Sequence, residues 1–195
     1  MSRTLDADLL NHHEVELLMR ACSRRAPSGV RNATLIALLW RTGLRISEAL
    51  ALHLKDVDLD KGTLVVQNGK GGKRRVVGVD PGTCALVAHW LDVRRKRKIP
   101  SSAPVFCTLA GGPMQTSYIR HLLPRLARKA GIAKRTHAHG LRHRFSVDLI
   151  EEGAPITTVR DLLGHSSIAV TDKYLRRVGA TDAVEFARHR DWSVT

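Results

Sequence analysis

Apolar positions along the chain change period several times, and each change predicts an element. Leu9, Leu10, Val15, Leu17, Leu18 and Met19 recur at a roughly helical spacing over 7–22, before the breaker cluster Arg25-Ala26-Pro27-Ser28-Gly29. Residues 30–41 are nearly all apolar, which predicts a buried helix, and Thr42-Gly43 ends it where glycine can take the left-handed stop conformation. A shorter helix follows at about 46–54. The stretches V-D-L-D (57–60), T-L-V-V-Q (63–67) and R-R-V-V-G-V (74–79) are rich in β-branched residues and predict strands. The last two flank N-G-K-G-G-K, a glycine-rich hairpin turn. Beyond Pro81 the period is helical again, in segments near 82–96, 114–131, 138–152, 155–163, 168–178 and 181–190. Gly111-Gly112-Pro113, Gly153-Ala154-Pro155 and Gly164 mark breaks between them. The pattern predicts a mainly α domain with a small three-stranded antiparallel β-sheet (α+β). No repeat or linker divides the chain, and 99–113 is its loosest region.

Charge adds a partner to this picture. The 195 residues carry 32 lysines and arginines against 18 acids, a net +14, and 43% of them are hydrophobic. A globular chain with that excess points first to a polyanion, with nucleic acid ahead of an acidic membrane. The longest apolar run, L-I-A-L-L-W (35–40), is far short of the roughly 20 residues a membrane span needs. The N-terminal residues M-S-R-T-L-D-A-D-L-L show no apolar signal core. Cys22, Cys84 and Cys107, an odd number without a C-x-x-C, fit free thiols in a reducing compartment. A cytoplasmic protein is expected. Two basic runs, Arg94-Arg95-Lys96-Arg97-Lys98 at a helix end and Arg120, Arg125, Arg128 and Lys129 on a later helix, read equally as solvated faces or as phosphate contacts.

The stretch T-H-A-H-G-L-R-H-R-F (136–145) concentrates the candidate chemistry. His139 and His143 stand four apart, a spacing that can chelate zinc on a helix. A hydrolytic H-E-x-x-H helix, however, needs glutamate where Gly140 stands, and Arg142 adjoins the second histidine, which disfavours a cation. A bland basic helix with His137 and His143 as caps or satisfied surface groups is a second reading. The third takes His139 and Arg142, three apart on one face, as an anion site in which the guanidinium holds a phosphate and the imidazole moves a proton.

Four stretches together resemble the catalytic domain of the tyrosine recombinases, the family of lambda integrase, the Xer recombinases and the fimbrial-switch invertases. They are T-G-L-R-I-S-E-A-L (42–50), G-K-G-G-K-R-R-V-V (69–77), H-G-L-R-H (139–143) and L-L-G-H-S-S-I-A-V-T-D-K-Y (162–174). The resemblance covers about 42–175 and implies the DNA breaking-rejoining catalytic fold. It implies that Arg45 and Arg142 neutralise charge on the scissile phosphate and that His139 helps as general base. Tyr174 would attack the phosphate to give a 3′-phosphotyrosyl link and a free 5′-hydroxyl, and Lys70 would protonate that leaving oxygen, with Lys73 in the same turn as rival. His165 would bond the phosphate or orient a neighbour, a helix-capping histidine being its other reading. Glu48 either braces the site from behind or forms a surface salt bridge. Lys73, Arg74, Arg94, Arg95, Lys96, Arg97, Arg120 and Arg125 are candidate DNA contacts.

The expected partner is double-stranded DNA, and neither metal nor other cofactor is called for. After Tyr174 a tail from about 179, with Thr181 as a helix cap, would dock on a neighbouring subunit to give a homo-tetramer on DNA, or pack on its own subunit. Accessory DNA-bending proteins are further candidate partners. Only 44 residues precede Arg45, too few for the family's N-terminal core-binding domain, so a single catalytic domain over 1–195 is expected. Two other functions keep the fold: a non-catalytic DNA-binding regulator, and a topoisomerase-like relaxing enzyme.

Overall fold

The computed structural model describes residues 9–67 and 74–163. The element order is α1 (His12–Arg20), α2 (Pro27–Thr42), α3 (Ile46–Leu50), a 3₁₀ turn (Leu54–Asp56), β1 (Val57–Asp58), β2 (Thr63–Val66), β3 (Arg75–Gly78), α4 (Pro81–Lys96), α5 (Thr116–Lys129), α6 (Ala138–Glu151) and α7 (Ile156–Leu163). The expected α+β architecture is present. The sheet runs β1-β2-β3, antiparallel throughout, with Leu64 opposite Val77 and Val66 opposite Arg75.

Local chemistry sets the boundaries. Helix α1 starts at 12 because Asn11 caps it: its side chain accepts from the Glu14 N–H while the Glu14 carboxylate accepts from the Asn11 N–H. Pro27 and Pro81 open α2 and α4 at positions where a missing N–H costs nothing, and Asp80 caps α4 by accepting from Thr83 N at 3.0 Å. The helix expected over 46–54 stops at Leu50, and the chain then makes the 3₁₀ turn, so one expected helix is two short pieces. Segments 168–178 and 181–190 lie outside the described residues.

Helix α2 is apolar nearly all round, so it must be covered on several sides. It packs against α1, α4 and α6. Leu35, Leu38 and Leu39 of α2, Leu18 of α1, Leu64 of β2, Trp90 of α4, Leu123 of α5 and Leu141 of α6 share one core. Phe145, Val159 and Leu163 form a smaller cluster where α7 meets α6. One buried carboxylate fastens three helices. Asp148 of α6 accepts from Trp40 Nε1 of α2 at 2.8 Å, bonds His12 Nε2 of α1 at 2.8 Å, and accepts from Arg144 Nε one turn earlier. A carboxylate this deep is stable only when so fully bonded.

The C-terminal end of α2 carries the constraint that matters for the site. Gly43 closes the helix with φ 61°, and a Cβ there would stand 2.3 Å from Phe145 Cδ1. Gly131 also has a positive φ, 71°, but open space around the missing Cβ. Gly43→Ala should therefore cost more than about 2 kcal/mol in urea denaturation, combining backbone strain and overpacking, and clearly more than Gly131→Ala. Equal losses from the two variants would contradict this account of the α2 terminus.

Candidate active site

Arg45 follows the Gly43 stop and sits just before α3 in extended conformation. Glu48 lies in the first turn of that helix, three residues on, and its side chain is 3% exposed. Its carboxylate reaches back to the Arg45 N–H at 2.9 Å and accepts from Arg45 Nη1 at 2.9 Å. Arg75, the first residue of β3, grips the same carboxylate in bidentate fashion, Nη1 to Oε1 at 2.9 Å and Nη2 to Oε2 at 2.7 Å. Burial by itself would raise the Glu48 pKa, but the bonds and charges of Arg75 and Arg45 outweigh it and hold the group at about 2. A surface salt bridge is thereby ruled out for Glu48. It is an internal brace between α3 and the sheet.

The second half of the site comes from α6. His137 caps this helix, its Nδ1 accepting from the Gly140 N–H at 2.9 Å, so His139 falls in the first turn and Arg142 one turn further. Arg142 is 4% exposed. Its Nη1 donates to the Gly43 carbonyl and its Nη2 to the Leu163 carbonyl at 2.6 Å, which pins α6 to the ends of α2 and α7 at once. Desolvation, then the neighbouring Arg45 cation, draw its pKa down to about 10, and Glu48 opposes the shift. It remains a cation at neutral pH.

His139 opens to solvent beside these groups. The desolvation of its inner edge, then the Arg142 and Arg45 charges, lower its pKa, so a neutral, proton-accepting imidazole is favoured there. Its ring stacks on His137 at 6.4 Å and tilts against His143 at 5.8 Å between centroids. Burial foremost lowers His137 and His143 as well. The arrangement offers an anion two guanidinium groups and a proton acceptor, a set suited to phosphoryl chemistry.

The structure thus joins four residues singled out in the sequence, Arg45, Glu48, His139 and Arg142. Lys70, Lys73, His165 and Tyr174 lie outside the described residues. Arg75 was missed. Its signal was its register: it shares a face with inward-facing Val77, two residues on, and pairs with buried Val66, so an arginine occupies the core side of the strand. Arg94, a candidate DNA contact, requires correction. It is 3% exposed, and its guanidinium donates to the carbonyls of Pro100 and Ala103, so it is turned into the fold. Arg74, Arg97, Arg120 and Arg125 are exposed, as are Arg95 and Lys96, which both pair with Asp92.

Among the described residues one group of His, Asp and Glu comes within mutual metal-ligand distance: His12, Asp148 and Glu151. No sequence spacing links these three residues, which come from α1 and α6. Arg144 donates to both carboxylates, so a side-chain cation already stands between them.

Against known proteins, the model of the phage integrase family matches residues 8–179. Tyrosine recombinase XerC of Bacillus subtilis is 35% identical over 170 residues, covering 85% of this chain and 55% of that protein. XerC of Halalkalibacterium halodurans is 33% identical over 171 residues, covering 85% and 56%. The chain therefore spans a little over half the length of these relatives. Among solved structures, XerA recombinase superposes with a TM-score of 0.78 at 28% identity, over 95% of this chain and 66% of that one. XerH site-specific recombinase bound to its difH substrate, before cleavage, superposes with a TM-score of 0.73 at 29% identity, over 89% and 52%.

The depressed Glu48 pKa has a definite sign. Glu48 stabilises the fold fully above its unfolded pKa near 4.5, and that contribution is lost as pH falls through about 2. Glu48→Gln should be less stable than the parent by about 3 kcal/mol at pH 7, a gap that narrows steadily from pH 4.5 towards 2. Urea denaturation at several pH values measures it, and a gap independent of pH would contradict the ion-pair assignment.

Proposed function

The chain belongs to the phage integrase family, and from that premise we propose that it carries the catalytic machinery of a tyrosine recombinase, which cuts and rejoins double-stranded DNA through Tyr174. The observation that supports this most is the convergence of Arg45 and Arg142, from well-separated stretches of the sequence, beside a histidine whose neutral form is favoured.

A phosphodiester resists attack because it is anionic. Charge also builds on its non-bridging oxygens in the transition state, and fixed cations lower that barrier. Arg45 and Arg142 supply them and stay protonated at any working pH. Arg142 uses two N–H groups on the Gly43 and Leu163 carbonyls, so it is held rigidly before DNA arrives. The phenol of Tyr174, with an ordinary pKa of about 10, requires a base, and neutral His139 can accept its proton. The new bond joins the phenolic oxygen to phosphorus, and the bond from phosphorus to the 5′-oxygen breaks.

Lys70 protonates that 5′-oxygen, with Lys73 as the alternative donor from the same turn, and His165 contacts the phosphate. Attack by a 5′-hydroxyl on the phosphotyrosine reverses each step and rejoins a strand without ATP. Charge neutralisation comes from side chains, so the scheme calls on no metal. Residues 1–195 form a single catalytic domain with its C-terminal tail in this reading. The tail from about 179 docks on a neighbouring subunit, giving a tetramer on DNA, with accessory DNA-bending proteins as further partners. Exposed Arg74, Arg120 and Arg125 contact the DNA backbone.

The test is an SDS-quenched reaction in EDTA with nicked DNA fragments that trap cleavage by losing a short strand. Tyr174→Phe should abolish the protein–DNA adduct and leave binding in a gel shift nearly intact. Arg45→Ala should slow single-turnover adduct formation by at least about 10²–10³, the usual loss for one phosphate-stabilising donor. An adduct that persists in Tyr174→Phe would refute the nucleophile, and a near-parental rate in Arg45→Ala would remove that residue from the site.

A further inference from the structure

His137 fastens the first turn of α6 through an atom that must stay unprotonated. Its Nδ1 faces the Gly140 N–H at 2.9 Å, and a backbone N–H can only donate. Nδ1 therefore presents its lone pair, and the ring is neutral with its hydrogen on Nε2. An imidazolium has two N–H donors and no acceptor, so a proton on His137 ends the cap. Serine, threonine and asparagine accept the same bond without titrating near neutral pH. A histidine in this place makes the start of α6 depend on pH.

Its surroundings all oppose that proton. Among the described residues, the cleft that holds the ring is lined by cations and by no carboxylate. Arg120 and Arg128 come to it from α5, and Lys134 and Arg135 from the segment before α6. Lys134 is already paired with Glu14 of α1 at 2.8 Å. On α6 itself, His139 stacks on the ring at 6.4 Å between centroids with the planes 11° apart, and His143 lies beyond it, 5.8 Å from His139. The positive end of the helix adds to the same field. Burial foremost, then Arg135 and His139, lower the His137 pKa from its ordinary 6.5. The neutral cap thus stabilises the fold fully above 6.5, and that contribution is lost as pH falls through the lower folded value.

His139 is the second residue of the helix that this bond starts. We propose that His137 is a positioning residue for His139: its neutral ring holds the first turn of α6, and with it the proton acceptor beside Arg45 and Arg142, and its protonation releases that turn. The proposal rests on the strand-transfer reading, in which His139 takes the Tyr174 proton. Acid then removes activity twice, by protonating His139 itself and by unfastening the turn that carries it.

Two measurements on the whole chain keep the proposal apart from that reading. The first needs no DNA. Proton–nitrogen NMR of the imidazole rings should show His137 with its hydrogen on Nε2 at pH 7.5, and the Gly140 amide should shift together with the ring as the pH is lowered. A hydrogen on Nδ1 at pH 7.5, or a Gly140 amide indifferent to the His137 titration, would overturn the proposal. The second is the pH profile of single-turnover adduct formation at saturating DNA. His137→Ala should slow the reaction at pH 8 by about tenfold, as for a reacting group that has lost its orientation, with little change in a gel shift. His137→Asn should recover most of that loss, and its acid limb should be shallower than the parental one by about one proton. An acid limb unchanged in His137→Asn, or a parental rate in His137→Ala, would overturn the proposal. The asparagine variant and the NMR titration decide the matter if the alanine variant does not fold. A parent that forms no adduct at any pH would refute the strand-transfer reading, and the Gly140 amide would still decide the cap.

Discussion

Glu48 is the interaction on which the site depends. Arg45, Arg75 and Arg142 lie close enough to influence one another's charge, and like charges about 5 Å apart repel by about 3 kcal/mol at an effective dielectric constant near 20. A single buried carboxylate offsets that repulsion. It takes hydrogen bonds from two of the guanidinium groups and from one backbone N–H. The exchange also fixes geometry, because the bidentate grip of Arg75 ties the foot of the β2–β3 hairpin to the turn that presents Arg45.

The fold explains why the end of α2 became the meeting point. A helix buried on most of its sides must lie centrally, and its neighbours α1, α4 and α6 converge on it. Its terminal carbonyls need partners. The Gly43 carbonyl finds one in Arg142, a side chain from a helix a hundred residues later, and the next turn delivers Arg45. Asp148 secures the same helix pair further along through Trp40. Cations held in this way need no rearrangement to present their charge to an anion, which is the condition for electrostatic stabilisation to be effective.

The sequence made much of this legible, and the failures are instructive. Helix α2, the hairpin and the pair His139–Arg142 follow from local spacing, because residues three apart share a helical face, and Glu48 stands three residues after Arg45 across the N-terminal cap of α3. Local spacing cannot show that two such pairs share one site, since nothing within either stretch refers to the other. The motif resemblance carried that step. Glu48 could be read two ways because burial, not residue type, decides between a brace and a surface pair. Arg75 and Arg94 failed for a common reason: within a basic run each arginine looks like its neighbours, and only strand alternation or helical period shows which one turns inward. Both of those signals were present, at Val77 and at Trp90.

The central claim is that Glu48 and Arg75 act as one unit to hold Arg45 ready for phosphate. The most direct measurement is a double-mutant cycle on the rate of covalent adduct formation with DNA, using Glu48→Gln, Arg75→Gln and the combined variant. The account predicts that each single change slows the reaction and that the combined variant is no slower than the slower single one, because either change already breaks the unit. Losses that simply multiply would mean that the two residues act independently, and would contradict it.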